Sequence, residues 1–345
     1  MENVLIAMSG GVDSSVAAYL MQQAGCKCAG ATMQLWETTQ TEDAKNVAQR
    51  LGMDFFVFDY TSDFSREVVD KFIACYEAGG TPNPCVDCNR CLKFGALLDK
   101  ALSLGYDKIA TGHYADIQKD PETGRLLLYR ATDDNKDQTY FLASLTQTQL
   151  AHIAFPLGAL SKEAVRQIAQ QQGFLNANKK DSQDICFIPD GDYLAFMKQY
   201  TGKNYPAGDF LDLKGNVIGT HSGAVGYTIG QRKGLGLAMG EPVYVCAKDM
   251  ENNTVTVGCN DDLFRTTLRA NNWNFIPFPT LTEPIRVTAK IRYRHIEQPA
   301  TVYPEENGFA RVVFDTPQRA ITTGQAVVLY EGNMVVGGGT ITEVL

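Results

Sequence analysis

The segment that decides the fold is Val4-Leu5-Ile6-Ala7-Met8 followed directly by Ser9-Gly10-Gly11-Val12-Asp13-Ser14-Ser15. Its first five residues are an apolar run that predicts a buried β-strand, and Val12, Val16 and Leu20 share one face of the helix predicted to follow. Two adjacent glycines let the backbone amides turn inward, and the start of the helix adds the positive end of its dipole. The segment therefore predicts a strand, an anion-binding loop and a helix.

Three more extended runs, with helical patterns between them, continue this unit. They lie at Ala29–Gln34, Asp54–Tyr60 and Lys108–Thr111. Strands that alternate with helices predict parallel pairing with helical crossovers, which is a doubly wound α/β domain. A hairpin is predicted from Tyr114–Gln118 and Leu126–Ala131, which flank a short turn.

From about residue 205 the pattern changes to short β-rich runs punctuated by glycine. These runs are Val243–Ala247, Thr254–Val257, Arg286–Ile291, Ala310–Phe314 and Ala326–Tyr330. Such spacing is typical of small β domains and barrels. We therefore predict an α/β domain at 1–204, a central β-rich domain at 205–266 and a C-terminal β-barrel at 267–345.

The composition limits where the protein works. The chain has 345 residues, 44% of them hydrophobic, and contains no apolar run of 18 residues. Its amino terminus has no basic residue and no cleavage signal. These features predict a cytoplasmic protein with no membrane partner. Nine cysteines, an odd number, predict reduced thiols used in packing, metal binding or catalysis.

The net charge of -8 disfavours nucleic-acid binding unless basic residues cluster locally. Three such clusters occur, at Lys179-Lys180, Arg232-Lys233 and Lys290–His295. On composition alone each one is better explained as solvated surface.

The glycine loop lacks the lysine of the GxxxxGK[ST] signature, so it does not match enzymes that handle a γ-phosphate in that way. The hydroxyls of Ser9, Ser14 and Ser15 suit a bound phosphate, and the Asp13 carboxylate suits magnesium.

Three cysteines follow a proline-rich turn at a spacing of three residues, namely Cys85, Cys88 and Cys91, and a fourth candidate is Cys186. Three interpretations compete: an iron-sulfur cluster, a structural zinc site, and catalysis by a thiolate activated by nearby Arg90 and Lys93. We favour catalysis. The remaining thiols are predicted to be buried and inert, namely Cys26, Cys28, Cys75, Cys246 and Cys259.

Seven motifs, in this order along the chain, resemble those of the MnmA-type (TrmU) tRNA-specific 2-thiouridylases, a family of PP-loop ATP pyrophosphatases. They are Ser9–Ser15, Asn83–Asn89, Ala110–Ala115, Lys136–Leu142, Ser182–Ile188, Tyr227–Gly236 and Lys290–Arg294. The resemblance implies that ATP, with magnesium, adenylates O2 of the wobble uridine of tRNA. It also implies that Cys186 carries a persulfide and that Cys88 is the nucleophile, which then forms a disulfide with Cys186 or releases hydrosulfide.

The resemblance also implies two sets of binding residues and two partners. The residues implied to contact ATP are Ala7, Met8, Ser9, Gly10, Gly11, Val12, Asp13, Ser14, Met33 and Gly112. Those implied to contact tRNA are Asn83, Pro84, Cys85, His113, Lys136, Asp137, Gln138, Arg292, Tyr293 and Gln325. The implied partners are lysine, glutamate and glutamine tRNAs and a cysteine desulfurase or sulfur-relay protein.

The chain departs from the family pattern at Cys85, where some members carry an aspartate proposed as a general base. Asp87 is a poor substitute, because adjacent side chains of an extended loop point in opposite directions. Cys91 lies outside the usual two-cysteine scheme and supports the cluster interpretation. Two rivals therefore stay open: a PP-loop ligase acting on a small molecule, and an iron-sulfur protein.

Overall fold

The computed structural model describes residues 1–36, 39, 41–177, 179 and 185–345. The strands, in chain order, are β1 (Asn3–Ala7), β2 (Lys27–Gln34), β3 (Phe55–Asp59), β4 (Lys108–Thr111), β5 (Ala115–Lys119), β6 (Leu126–Arg130), β7 (Ile153–Ala154), β8 (Gly208–Leu211), β9 (Val217–His221), β10 (Tyr244–Asp249), β11 (Thr254–Gly258), β12 (Phe264–Phe275), β13 (Ile285–Lys290), β14 (Gln298–Pro304), β15 (Ala310–Arg319), β16 (Ala326–Glu331) and β17 (Met334–Val344).

The α-helices are α1 (Val12–Gln23), α2 (Glu42–Arg50), α3 (Thr61–Phe64), α4 (Asp70–Glu77), α5 (Pro84–Asp87), α6 (Leu97–Ser103), α7 (Gln147–Ala151), α8 (Lys162–Gln171) and α9 (Tyr193–Thr201). Two π-helical segments, Ser65–Val69 and Cys88–Ala96, join α3 to α4 and α5 to α6. Short 3-10 turns occur at Thr139–Phe141, Ala224–Gly226, Asp261–Leu263 and Glu306–Gly308.

The N-terminal sheet is parallel and has the strand order β3-β2-β1-β4-β7. Its central strand is apolar because both faces are covered: Val4, Leu5 and Ile6 are fully buried. The order reverses at β1, whose neighbours are β2 and β4. Such a switch point opens a crevice beyond the carboxyl ends of the strands, where α/β proteins bind ligands. The doubly wound domain predicted from the sequence is confirmed.

The C-terminal region is a closed six-stranded barrel, as predicted. Its strands run in the order β12-β15-β14-β13-β16-β17, and β12 also pairs with β17 to close the ring. A core of aliphatic side chains fills the interior. The predicted hairpin is also present as β5 and β6, and it extends the edge of this sheet through the pair Tyr129 and Met334.

The central region is a four-stranded sheet with the order β10-β11-β8-β9, in which β8 runs parallel to β11. Its strands follow the β-rich runs expected there, with β8 and β9 additional to those predicted. The predicted boundary at 266/267 falls inside β12. Among the described residues, no helix is long and apolar enough to cross a membrane.

Candidate active site

The nucleotide loop, Ser9–Ser15, lies between β1 and α1 at the switch point of the sheet. Gly10 adopts a φ of +74°, and a Cβ there would lie 3.1 Å from the Cβ of Asp43. The Ser14 hydroxyl donates to the Gly11 carbonyl (3.1 Å) and accepts from the Ser9 amide (3.3 Å). The loop is therefore ordered by its own hydroxyls and opens toward the crevice.

Gly112, directly after β4, touches this loop from the neighbouring strand. A Cβ at this position would lie 2.6 Å from the Ser14 nitrogen and 2.7 Å from the Asp13 carbonyl carbon. A side chain has no room there, so a glycine is needed for β4 to approach the helix start. The structure thus places Gly112 against the loop, and its contact with ATP stays a prediction.

The Asp13 carboxylate is held by two residues that the sequence did not single out as site residues. The Lys162 ammonium lies 2.7 and 2.8 Å from its two oxygens, and the Tyr114 hydroxyl donates to Oδ1 (2.9 Å). Lys162 is the first residue of α8, which Ser161 caps by accepting the Ala164 amide. The cap locates the start of a helix in the sequence, but nothing in the sequence places that helix beside a loop 149 residues away.

Asn176 supports the loop from behind and was also missed. Its side-chain Nδ2 donates to the Gly10 carbonyl (3.1 Å) and to the Ser15 hydroxyl (2.9 Å). This buried amide fixes the glycine turn from outside the strand-loop-helix unit. The neighbouring Lys180 and Asp181–Asp184, which include half of one predicted motif and part of a basic cluster, lie outside the described residues.

Three of the other residues predicted to contact ATP, Met8, Val12 and Met33, differ in how far their side chains are buried. Met8 is buried with its side chain in the core; its amide donates to the Ala31 carbonyl and its carbonyl accepts the Thr32 hydroxyl. Val12 is buried in that core as well. Met33 is only partly buried at the end of β2, and it packs on the side of the sheet that carries the cysteines. Of the three, Met33 is the one whose side chain is not fully buried.

The cysteine segment, Asn83–Ala96, begins with α5 and continues into the second π-helical segment. Pro84 occupies the first helical turn, where its missing N–H is harmless. Cys88 and Cys91 pack against an aromatic cluster that also contains Phe187 and Ile188, the residues that follow Cys186. The fold therefore brings together two thiol-bearing segments that are about 95 residues apart in the chain.

The thiols interact electrostatically. The pKa of Cys88 is raised to about 12, chiefly by burial; Lys93 opposes the increase, and the neighbouring Cys186, Cys85 and Cys91 add to it. Burial also raises the pKa of Cys186, with Cys85 adding to the rise and Lys93 opposing it. In the free protein these raised pKa values keep the thiols protonated, and one cation is available to stabilise a thiolate.

Lys93 is that cation. Its ammonium donates to the Asn89 Oδ1 (3.1 Å), and its charge lowers the pKa of the thiols at positions 85, 88 and 186. The other predicted cation, Arg90, instead forms an ion pair with Asp87 (2.9 Å) and acts on Cys91. The sequence predicted two activating cations, and the structure directs only one of them to the predicted catalytic thiols.

His113 connects the nucleotide loop with the thiols. It follows Gly112, is almost fully buried, and its Nδ1 lies 2.8 Å from the Thr111 hydroxyl. Its ring packs between Phe94 and Phe155, and burial together with the Lys93 charge holds the pKa of the imidazole well below its usual value. A neutral imidazole therefore lies between the two halves of the site.

The other cysteines mostly match the predicted packing role. Burial raises the pKa of Cys28 and of Cys75 to about 11, which keeps both thiols inert. Cys26 and Cys246 are partly buried. The prediction was wrong for Cys259, which is exposed because it follows the last residue of β11 in a turn. Within the described part of the chain, no three His, Cys, Asp or Glu side chains are arranged to hold a metal.

Several residues implied to contact tRNA form internal bonds. Asp137 is buried, and its carboxylate accepts the Thr139 hydroxyl (2.7 Å), which stabilises the adjacent 3-10 turn. The Gln138 Oε1 accepts the Tyr114 amide. Tyr293 is half-buried and packs 4.5 Å from the Phe141 ring, whereas Lys136 keeps part of its surface in solvent. The turn at 136–141 and the Tyr293 loop thus form one continuous surface.

Arg292 and Gln325 lie at domain contacts. The Arg292 guanidinium donates to the Ile229 and Ala320 carbonyls (3.1 and 2.9 Å) and to the Thr322 hydroxyl (2.7 Å). Gln325 donates to the carbonyls of two residues directly before the cysteine segment. Both side chains face the chain itself in the free protein.

Comparison with known proteins places the whole chain in one group. Residues 2–190 match the protein family described as tRNA methyl transferase HUP domain, 194–259 the tRNA methyl transferase PRC-barrel domain, and 265–341 the aminomethyltransferase beta-barrel domain. The chain is 48% identical to the tRNA-specific 2-thiouridylase MnmA of Acetivibrio thermocellus, covering 99% of both proteins. It is 50% identical to that of Moorella thermoacetica, again over 99% of each.

Among solved structures, the chain is similar to a 4-thiouridine synthetase in complex with RNA and bound ATP. The identity is 16%, the TM-score is 0.36, and the likeness covers 58% of this chain and 50% of that one. A likeness this low has no bearing on function. The family descriptions name a methyl transferase, whereas the curated relatives are named 2-thiouridylases. The clustered thiols of this chain suit sulfur chemistry and therefore agree with the names of the relatives.

Proposed function

This chain belongs to the tRNA-specific 2-thiouridylase family, and from that premise we propose that it makes 2-thiouridine at the wobble position of tRNA. ATP activates O2 of the uracil ring, and a cysteine persulfide supplies the sulfur. Activation is needed because a carbonyl oxygen is a poor leaving group, whereas an AMP ester leaves readily.

One observation carries the proposal: a short run of neighbouring residues connects the nucleotide loop with the thiols. Gly112 abuts Ser14, the next residue is His113, and Lys93 influences both His113 and Cys88. A base bound between these residues would meet the α-phosphate of ATP on one side and sulfur on the other. Proximity of this kind supplies a large part of the rate in two-substrate chemistry.

The first half-reaction belongs to the nucleotide loop. We assign the phosphates to the loop amides and to the Ser9 and Ser14 hydroxyls, with Met33 beside the adenine. Uracil O2 attacks the α-phosphorus, and the bond to the β-phosphate oxygen breaks, so pyrophosphate leaves. Lys162, bound to Asp13, is suitably placed to neutralise the charge of the departing pyrophosphate.

The second half-reaction belongs to the thiols. The terminal sulfur of the Cys186 persulfide attacks C2, AMP leaves, and the sulfur then bridges C2 and Cys186. The Cys88 thiolate attacks the Cys186 sulfur, which releases 2-thiouridine and forms a Cys88–Cys186 disulfide. In the alternative route Cys88 first releases hydrosulfide, which attacks C2. Either route leaves a disulfide that a two-electron reductant must restore.

We assign Asn83, Pro84 and Cys85 to the target base, and Lys136, Gln138, Arg292 and Tyr293 to the tRNA around it. An aromatic ring beside a guanidinium suits RNA. Lysine, glutamate and glutamine tRNAs are the proposed substrates, a cysteine desulfurase or sulfur-relay protein is the proposed donor, and the cytoplasm is the proposed compartment.

Magnesium fits the nucleotide loop only as a companion of ATP. Mg²⁺ commonly takes one carboxylate plus phosphate oxygens and water, and Asp13 is the one acidic side chain of the loop. Because Lys162 already binds both Asp13 oxygens, a metal there must displace it. An iron-sulfur cluster on Cys85, Cys88, Cys91 and Cys186 does not fit the described side-chain arrangement, and we route no step through it.

The test is anaerobic incubation with ATP, magnesium, unmodified tRNA and a cysteine-desulfurase sulfur source, with nucleoside mass spectrometry for 2-thiouridine and a parallel iron assay. We expect product from iron-free protein, none from Cys186→Ser or Cys88→Ser, and unchanged product from Cys259→Ser, a matched exposed thiol away from the site. Full thiolation by either serine variant would overturn the two-thiol mechanism, and product only with bound iron would make these cysteines ligands.

A further inference from the structure

The residues just before the cysteine segment, Gly79–Pro82, are held by the barrel. The Gln325 side-chain nitrogen donates to the Thr81 carbonyl (3.0 Å) and to the Pro82 carbonyl (3.1 Å). The Thr81 amide donates to the Thr323 carbonyl (2.8 Å). Three hydrogen bonds therefore cross from the C-terminal barrel to the backbone that leads directly into Asn83 and the thiols.

The barrel side of this contact is rigid and tightly fitted. The Gly324 amide donates to the Ile341 carbonyl, and the Ile341 amide donates to the Gln325 carbonyl, so β17 fixes this segment. A Cβ at Gly324 would lie 2.4 Å from the Cys75 sulfur and 3.0 Å from the Thr81 oxygen. Position 324 therefore has no room for a side chain.

A third region meets the same backbone. Lys248 of β10 donates to the Tyr227 carbonyl (2.7 Å) and lies 3.5 Å from the Gly80 carbonyl. Nearby, the Tyr140 hydroxyl donates to the Ala326 carbonyl, next to Gln325 (2.9 Å). The entry to the cysteine segment is thus the point where all three parts of the chain converge.

We propose that Gln325 is a positioning residue for the cysteine segment: its amide fixes the Thr81 and Pro82 carbonyls and thereby sets where Cys85 and Cys88 stand. The sequence resemblance implies that Gln325 contacts tRNA. In the free protein, however, its side-chain nitrogen donates to two carbonyls of the chain's own backbone. The barrel then contributes to sulfur transfer through this contact even when no RNA is bound.

A positioning role and a tRNA-binding role for Gln325 predict different behaviour of the protein without RNA. Substitution Gln325→Met keeps the length of the side chain and removes both donors. Because Cys88 is partly buried and packs in a hydrophobic cluster, its alkylation rate reports how firmly the segment is held against that cluster. We expect alkylation of Cys88, followed by peptide mass spectrometry, to accelerate about tenfold, and amide exchange in 79–92 to rise.

In the same variant we expect the Kd for tRNA to stay within about twofold and kcat for thiolation to fall about tenfold. The matched control is Gln318→Met, which removes a barrel glutamine amide whose bonds lie within its own strand; it should leave Cys88 alkylation unchanged. If Gln325→Met fails to fold, Gln325→Asn, which shortens the same amide, replaces it.

The outcome that overturns the inference is a Kd for tRNA weakened about tenfold with alkylation and exchange of the free protein unchanged, because a residue bound only by RNA cannot alter the free segment. Only the kcat measurement of this test rests on the proposed function. Failure of that function would abolish thiolation by the wild type, whereas the alkylation and exchange measurements would still decide the role of Gln325.

Discussion

The nucleotide loop and the cysteine segment are the two halves of one site, and they are built in opposite ways. The loop is formed by residues within one strand-loop-helix unit, and Ser14 bonds to residues only three and five positions away. The cysteine segment depends on distant residues: Gln325 binds Thr81 from 244 positions away, and Phe187 packs with Cys88.

This difference indicates which substitutions should disturb each half of the site. The loop is sensitive to distant residues only where they touch it directly, as Gly112, Lys162 and Asn176 do. A segment held by distant residues is sensitive to changes far from the chemistry, because its position is the sum of several interdomain contacts. Four substitutions test this contrast.

The largest effect is expected from Gly112→Ala. The added methyl would lie 2.6 Å from the Ser14 nitrogen, so β4 must move away from the loop. We expect pyrophosphate release to fall by about 100-fold or more, in line with the cost of misplacing a catalytic group. Gly105→Ala, where a Cβ meets nothing within 4 Å but φ is +84°, separates crowding from backbone strain. Retained pyrophosphate release in Gly112→Ala would contradict a locally rigid loop.

Next in size is Lys162→Met, which leaves the Asp13 carboxylate without its cation. The Lys162 side chain is only 11% exposed, so the loss should cost about 2–4 kcal/mol of unfolding free energy, measured by urea denaturation. The exposed pair of Lys108 and Glu2 is the control, and Lys108→Met should cost less than about 1 kcal/mol. Equal costs would mean that the Asp13 pair is no stronger than a surface pair.

A smaller effect is expected from Lys93→Met, which acts on the cysteine half. Without the ammonium, the pKa values of Cys88 and Cys186 should rise further, because burial and neighbouring thiols already disfavour the thiolates. Alkylation of both at pH 8–9 should slow about tenfold, and the pH at which it accelerates should move upward. Arg90→Met is the control and should alter Cys91 only. Unchanged Cys88 reactivity would remove Lys93 from the thiolate mechanism.

The smallest effect is a pH dependence of stability from Lys248. Burial lowers the pKa of its amine to about 8, whereas the unfolded chain keeps the ordinary value near 10.5. Between these values the unfolded state binds more protons, so the wild type gains stability as the pH rises, by at most about 1.4 kcal/mol per pH unit. Below pH 8 no gain is expected.

The measurement is urea unfolding of wild type and Lys248→Met at pH 7, 8, 9 and 10, taken as the difference between the two so that groups common to both cancel. The nearby Cys75 thiol, with its pKa raised to about 11, titrates mostly above this window. A constant difference across the series would show that Lys248 is not desolvated at the domain contact.

The sequence predicted the locally built half well. The apolar run at Val4–Met8, the adjacent glycines and the helical face beginning at Val12 act within a single unit, so periodicity and glycine placement were sufficient to locate it. The two β regions followed from the same reasoning, as did the hairpin at β5 and β6.

The contributions of Lys162 and Asn176 were not predicted, and the reason is common to both. Each depends on which element lies beside which, and no local pattern encodes that. Arg90 and Lys93 are alike in the sequence, yet one turn of helix directs the first to Asp87 and the second to the thiols. For the residues implied to contact tRNA, the family motifs supplied the positions, and the free structure adds internal bonds that motifs do not contain.

The attachment of β6 to β17 has a consequence for how the protein is made. The hairpin is synthesised about 200 residues before the strand that pairs with its edge, Met334–Val344. Until then Leu127 and Leu128 border an open edge, which is the kind of surface that invites pairing with another chain. We therefore expect a nascent chain that stalls before residue 334 to aggregate through this edge more readily than one in which Met334–Val344 has been made.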